Sequence, residues 1–348
     1  MTSDLARPWA SAGHPGLGGA PRATRVFPVA ATVLLLVVAV VAFCLSVSVG
    51  SVGVVVPWAA FDPEHSSYAV AAARLERTVT GCCVGAALAL SGALLQGLTR
   101  NPLADPGLLG ITAGATIGMV LAVAVLSVET LSGYLWYSFL GSALAAVVVH
   151  LLASLGGGAA TPGRIVIAGA AVTAALTSWT TALLLTDQQR FDRLRFWMVG
   201  GLGTGYDALQ AVGPTMLAGV ILGLLGIRLL DTLVLGDDLA RGLGRNVTRD
   251  RLVVGLAVVL LAGSATAAAG PISFVGLIVP HAVRAMVGPS HARVLPLSLA
   301  WGAVLVVTAD TIGRVIAPPT EVQVGIMTAL VGVPVFFLLV RHGAGVRS

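Results

Sequence analysis

Charged residues in this chain fall in clusters separated by long apolar windows. None occurs between Arg25 and Asp62, Arg77 and Arg100, Asp105 and Glu129, Glu129 and Arg164, or Arg164 and Asp187. The same holds between Asp207 and Arg228, Arg251 and Arg284, and Glu321 and Arg341. A helix needs roughly 20 apolar residues to cross a bilayer, and a charge left in hydrocarbon is costly. The pattern therefore predicts an all-α polytopic membrane protein of about ten transmembrane helices. The spans are placed near Val26–Val49, Thr78–Leu98, Pro106–Leu126, Gly133–Leu155, Ile165–Thr186, Ala208–Ile227, Leu252–Ala269, Phe274–Met286, Val294–Val315 and Val322–Val340. The eighth is short and fits a tilted or partly re-entrant segment.

Composition agrees with the pattern. Of 348 residues, 57% are hydrophobic and 10% charged, against about 25% charged in soluble domains. Glycine is abundant, at 43 residues, which suits close helix approach in lipid. Repeats at every fourth position (Gly110, Gly114 and Gly118; Gly81 and Gly85; Gly219 and Gly223) read as packing stripes rather than substrate contacts. Residues 1–25 are polar, basic and rich in Pro and Gly, and read as a disordered tail. The apolar run that follows is longer than a signal-peptide core and has no clear small-residue cleavage site, so it is expected to be a retained first helix. Residues 26–348 then form one transmembrane domain.

All 20 basic residues are arginine. With the N-terminus in the cytoplasm, the alternating spans put 14 of them on the cytoplasmic side and 6 outside. The positive-inside rule favours that orientation, with both termini cytoplasmic. The basic balance is thus a membrane signature and calls for no nucleic-acid partner. Without lysine no Walker A motif can exist. There is no HExxH pair, no Cys/His spacing typical of a metal site and no acidic pair in mid-span. Cys44, Cys82 and Cys83 lie in apolar spans and read as small buried residues. Catalytic residues, metal ligands and bound cofactors are therefore not expected. These absences disfavour an intramembrane enzyme and an ion-coupled secondary transporter.

Three polar stretches stand out. Asp310 and Arg314 are four residues apart, on one helix face, and form a local ion pair in the simplest reading. Arg100-Asn101-Pro102-Leu103-Ala104-Asp105-Pro106-Gly107 reads as a turn with Pro106 in the first turn of the next helix. The largest charged segment, Arg228–Arg251, contains Leu235-Gly236-Asp237-Asp238-Leu239-Ala240-Arg241-Gly242-Leu243-Gly244. The spacing of Asp237 and Arg241 allows a short surface helix ended by Gly242 or Gly244.

These blocks, taken in order, resemble the iron-siderophore and cobalamin-type permeases of bacterial ABC importers, the type II importer class. The resemblance is carried by Arg74-Leu75-Glu76-Arg77-Thr78, Ser91–Gln96, Arg100–Gly110, Trp197-Met198-Val199-Gly200-Gly201 and Leu235–Gly244. It continues through Gly270-Pro271-Ile272-Ser273-Phe274-Val275-Gly276-Leu277-Ile278-Val279-Pro280-His281 with Arg284, Ala309-Asp310 with Arg314, and Glu321–Ile326. It spans nearly everything after Arg25.

The resemblance implies the type II importer permease fold in the bacterial cytoplasmic membrane. The implied partners are a second permease (the same or a related chain), two ABC ATPases that use ATP and Mg, and an extracytoplasmic binding protein. The implied cargo is an Fe(III)-siderophore, with cobalamin or haem as alternatives. Arg74, Arg77 and Arg314 match outward arginines that dock the binding protein. Leu235, Gly236, Asp237, Asp238, Arg241 and Gly244 match the ATPase-coupling segment. Thr161, Pro162 and Gly163 match a cytoplasmic gate. His281 is expected to act structurally at a helix terminus, because such families carry iron inside a chelate. Two departures stand out: Glu76, where the family usually has Pro, and Val322-Gln323, where it often has Leu-Pro. Glu76 could pair with Arg77 or weaken docking, and the last helix could start differently.

Overall fold

Each of the ten predicted spans contains a helix in the computed structural model, which describes residues 29–51, 53–155, 161–185, 194–234 and 236–344. The chain opens with α1 (Val29–Ser48), a hairpin of two-residue strands (β1, Val49–Gly50; β2, Gly53–Val54) and a 3-10 turn (Pro57–Phe61). Then come α2 (Tyr68–Thr99), a 3-10 turn (Pro106–Leu109), α3 (Ile111–Ala124), α4 (Leu131–Ser154) and α5 (Pro162–Leu185). The second half holds α6 (Gly205–Leu225), α7 (Ile227–Val234), α8 (Asp237–Gly242), α9 (Val247–Ala269), α10 (Val275–Val287), α11 (His291–Ile316) and α12 (Val324–Ala344). Six of these are long and apolar enough to cross a membrane, while α1, α3, α10 and α12 carry shorter apolar stretches. The tail 1–25 lies outside the described residues.

Several boundaries differ from the sequence expectation, and three of them bear on the polar stretches. Helix α2 starts at Tyr68, not Thr78, so Arg74 and Arg77 lie on the helix rather than before it. The Ala-rich stretch before Arg74 favours helix, and an apolar window marks only the part of a helix that needs lipid. The third span is broken: Pro106 opens a 3-10 turn, Gly110 takes φ 69°, and α3 begins only at Ile111. Proline without an N–H fits the first turn, and glycine alone adopts the left-handed link without strain. The last helix starts at Val324, just after the departing Val322-Gln323 pair.

The expected short eighth span is α10, about 20 Å long at 1.5 Å per residue. It follows an extended segment that ends at Phe274 (φ 70°). Trp197 Nε1 donates to the Ala267 carbonyl (3.2 Å), and the Gly201 N–H donates to the Ala269 carbonyl (2.8 Å). These bonds take up backbone groups left over where α9 ends, as burial without water demands. His281 sits in the middle of α10, not at a terminus as expected, because this helix runs on to Val287.

Helix α2 is the axis of the bundle, with 78% of its apolar window buried inside the protein, against 22% for α5 and 28% for α6. Its partner is α11, running antiparallel to it. Arg77 meets Asp310, Gly81 meets Val307, Gly85 meets Gly302, and Gly97 meets His291. The register is kept from one end to the other, so the two axes stay side by side. Small residues make this possible. A Cβ on Gly85 would collide with the Gly302 carbonyl, and one on Gly92 with the Gly276 carbonyl. The other stripes work alike: Gly114 and Gly118 of α3 meet Gly141 and Tyr137 of α4, and Gly219 of α6 meets Leu261 of α9.

The collisions at Gly85 are with backbone, which no rotamer change relieves. Gly85→Leu is therefore expected to destabilise the protein by about 1–3 kcal/mol or more. Gly255→Leu, with nothing within 4 Å of its Cβ, should be near neutral. Thermal unfolding of both variants in one detergent checks this; equal melting temperatures would refute the packing role.

Candidate functional site: an ion cluster and a short helix at opposite ends of the bundle

At one end the sequence-predicted arginines converge. Arg77 holds Asp310 in a forked contact, with Nε 3.1 and 3.0 Å from the two carboxylate oxygens and Nη2 2.8 Å from Oδ1. Its Nη1 donates to Glu321 Oε2 at 2.6 Å. Arg314, one turn after Asp310, places Nε 3.1 Å from Asp310 Oδ2 and donates through Nη2 to Ser46 (2.7 Å) and Thr311 (3.2 Å). Arg74 donates to the carbonyls of Ser48 (2.7 Å) and Gly53 (3.0 Å). Its guanidinium fills the space where a Gly50 side chain would stand. Ser51 Oγ donates to Glu321 Oε1 at 2.9 Å. The cluster ties α1, the hairpin, α2, α11 and the segment before α12 into one block.

Burial grades the cluster. The side chains of Asp310 and Arg314 are 1% and 2% exposed, against 20% for Arg77 and 31% for Glu321. Arg74 is also buried. Of the three arginines expected to face outward, only Arg77 thus reaches the surface. Arg74 and Arg314 point inward because the hairpin carbonyls and Asp310 supply partners that water would otherwise provide. Arg77 takes Asp310 and Glu321 as its acids, not Glu76, whose carboxylate lies over Gly205. The expected Asp310–Arg314 pair is present, and a distant helix joins it through Arg77. Glu321 opens one of the blocks that carry the resemblance, but nothing in the sequence gave it a partner; only the fold brings it back to α2.

At the other end, α7 and α8 form a short lever. Leu230 and Leu233 of α7 are fully buried, with Leu230 against Gly97 of α2. Arg100, at the left-handed cap of α2, donates to the Leu233 carbonyl. Asp231 Oδ1 lies 2.7 Å from Nδ1 of His291, the first residue of α11. After Gly236 (φ 106°) the chain turns into α8. Ala240 anchors α8, packed with Leu233, Val247 and the end of α2. Asp238, Leu239, Arg241 and Leu243 are exposed, with Asp238 3.3 Å from Arg241. The expected short helix is there, and it ends at Gly242 with Gly244 at φ 77°. Leu235 lies outside the described residues; of Asp237 and Pro162 only the backbone is described.

At the same end, Thr161 accepts a hydrogen bond from the Arg164 N–H (3.4 Å) at the start of α5, and Gly163 has open space around it. Along α5, Ala170, Ala171, Ala174, Thr177, Ser178 and Thr181 are exposed. Above this end, Gln96 of α2 donates to the carbonyls of Gly276 (3.3 Å) and Leu277 (3.2 Å) and accepts from Arg284. This pins α10 to α2. Among the described residues, no three His, Cys, Asp or Glu side chains converge as a metal site.

The ion cluster generates two expectations. Asp310→Ala leaves Arg314 buried and unpaired, which should cost about 3–5 kcal/mol and lower the yield of folded protein. Glu321→Gln should cost far less, because that pair is partly in water. Burial of Glu321 would raise its pKa, but Arg77 and Ser51 outweigh this and hold it below the ordinary 4.5. A depressed folded-state value stabilises above the unfolded pKa and is lost as pH falls through the folded one. Melting temperature should therefore drop on acidification below about 4.5 more in wild type than in Glu321→Gln; parallel curves would refute it.

With the geometry in hand, the comparisons with known proteins are direct. Residues 34–342 match the FecCD transport family. The chain is 41% identical over 331 residues to the ferric enterobactin transport system permease protein FepD of Escherichia coli, covering 94% of this chain and 98% of that one. It is 39% identical over 318 residues to the probable siderophore transport system permease protein YfiZ of Bacillus subtilis, covering 90% and 96%. Among solved structures, an inward-facing metal-chelate type ABC transporter superposes with a TM-score of 0.77 at 27% identity, covering 89% of this chain and 98% of that one. A match across both the ion-cluster end and the α8 end leaves one conclusion: this chain belongs to the FecCD transport family and has the permease fold of type II ABC importers.

Proposed function

We propose that the chain is the membrane permease of a binding-protein-dependent ABC importer and that its cargo is an Fe(III)-siderophore. The observation that carries the reading is α8, a helix buried on one side at Ala240 and offering Asp238, Leu239, Arg241 and Leu243 outward. Two exposed leucines flanked by an acid and a base suit a groove on another protein better than open water. The chain has no lysine and hence no Walker A site of its own, so the energy has to enter through such a contact. The partners are two ABC ATPases at α8 and a second permease, the same chain or a related one. The exposed surface of α5 combines small and hydroxyl-bearing residues with Ile167, Trp179 and Leu185, and its small-residue stripe is assigned to a translocation path shared with that second permease. Thr161, Pro162 and Gly163, at the foot of α5, are assigned to its cytoplasmic gate.

In this reading the ion-cluster end faces outward and both termini are cytoplasmic, as the arginine bias favours. An extracytoplasmic binding protein docks there. The cluster sets three guanidiniums (Arg74, Arg77 and Arg314) against two carboxylates (Asp310 and Glu321), so it carries one surplus positive charge and attracts an acidic patch. Arg77 makes the direct contact, and Arg74 and Arg314 hold it from behind. The siderophore reading is favoured by relatives named for siderophore, ferric enterobactin and Fe(3+)-citrate transport. Cobalamin and haemin permeases also appear among the relatives and supply the alternative cargoes.

Uptake by a deletion strain carrying this chain, offered 55Fe-loaded enterobactin, citrate and hydroxamate chelates beside haem and cobalamin, tests the cargo. Uptake of a ferric chelate that stops when the ATPase is lost supports the reading; uptake that survives that loss ends it. Charge reversal at the exposed pair, Asp238→Arg with Arg241→Asp, should leave the melting temperature unchanged and abolish uptake. Normal uptake in that variant would remove α8 from the coupling role.

A further inference from the structure

The coupling reading leaves a mechanical question, because α8 is short and α11 is the helix that bears the outer cluster. The link between them is concrete. Asp231 stands one turn before the end of α7, which leads directly into α8. Its carboxylate lies 2.7 Å from Nδ1 of His291, the first residue of α11. The His291 side chain is only 6% exposed, and its Nε2 would meet a Cβ placed on Gly97 of α2 at 2.8 Å. One imidazole is thus wedged between the lever and both axial helices. From there α11 keeps register with α2 through Gly302 and Gly85 to Asp310 and Arg77 at the far end.

We propose that Asp231 and His291 are positioning residues for transport. Their hydrogen bond passes displacement of the coupling helix into the α2–α11 pair, which moves as one body and carries it to the outer cluster. Asp231 touches neither cargo nor nucleotide in this scheme; it acts only through His291. Without this bond a push on α8 would still reach α2 through Arg100 and the Leu233 carbonyl, but it would meet α11 without a directional contact at its first residue, which the Asp231–His291 hydrogen bond supplies. The proposal rests on the permease reading above, and its test separates the two.

The test uses the complex of this chain with its ATPase in lipid nanodiscs. Cys44, Cys82 and Cys83 are replaced by alanine, and Val315→Cys, exposed in the last turn of α11, carries a bimane fluorophore. ATP with vanadate is the probe, so no cargo is needed. Trapping should shift the bimane emission in the parent. Asp231→Ala should bring the shift down about fivefold or more, the lower range of a coupling between sites, with ATP hydrolysis and melting temperature held near the parent's. Asp231 is half exposed, so this change opens no core cavity. Asp231→Asn keeps an acceptor for the imidazole N–H and should restore the shift. A full shift in Asp231→Ala overturns the proposal. So does a parent with ATPase activity but no shift, or a variant that loses shift, hydrolysis and stability together and is not rescued by Asn. Failure of the parent chain to assemble with any ABC ATPase would instead bring down the permease reading itself.

Discussion

Backbone meets backbone where α2 and α11 cross the middle of the bundle, at Gly85 and Gly302. In lipid there is no hydrophobic gain in bringing two apolar helices together, since hydrocarbon solvates them equally well. What remains is dispersion across a close interface and a few polar contacts. The glycines allow the first over the whole length of the pair. The second sits at its ends, where Arg77 meets Asp310 and where His291 abuts Gly97. Other helices then arrange themselves around this axis: α10 through Gly92 and Gln96, α6 through Gly223, and α1 through Ser46.

Buried charge is the other constraint. Asp310 and Arg314 are almost wholly withdrawn from water, a state that only mutual pairing and further hydrogen bonds make tolerable. The bundle answers that demand by bringing in Arg77, Ser46 and Thr311 from α2, α1 and α11, although Nη1 of Arg314 is left without a hydrogen bond among the described residues. A cluster of this kind holds one arrangement well and any slipped arrangement badly, because every displaced partner strands a charge. It lies at the end that the orientation bias turns outward, while the exposed α8 lies at the opposite end, with α2 and α11 running between them.

The division of work proposed for this permease suits this construction. A chain with few ionisable groups in its spans has little chemistry with which to drive transport. In the proposed reading its contribution is shape: a path, a surface for a cargo carrier and a surface for an ATPase. Bonds that hold short elements against long ones, such as Asp231 to His291 and Arg100 to the Leu233 carbonyl, join the exposed α8 end to the axial pair.

Much of this was determined by the sequence alone. The charge-free windows located every long helix but α11, which carries Arg293, Asp310 and Arg314, because exclusion of charge from hydrocarbon is a local rule that needs no knowledge of neighbours. The Gly stripes announced close packing, the Asp310–Arg314 spacing announced an ion pair on one face, and Asp237 to Gly244 announced a short helix. Tertiary structure alone decided which helix each stripe faces, that Glu321 returns to Arg77, that Arg74 turns inward to the hairpin, and that His291 meets Asp231. Those partners lie far apart along the chain, and a single sequence carries no term for contacts that exist only once the helices have packed. It also could not tell an outward arginine from a buried one, since that depends on whether the fold supplies acceptors in place of water.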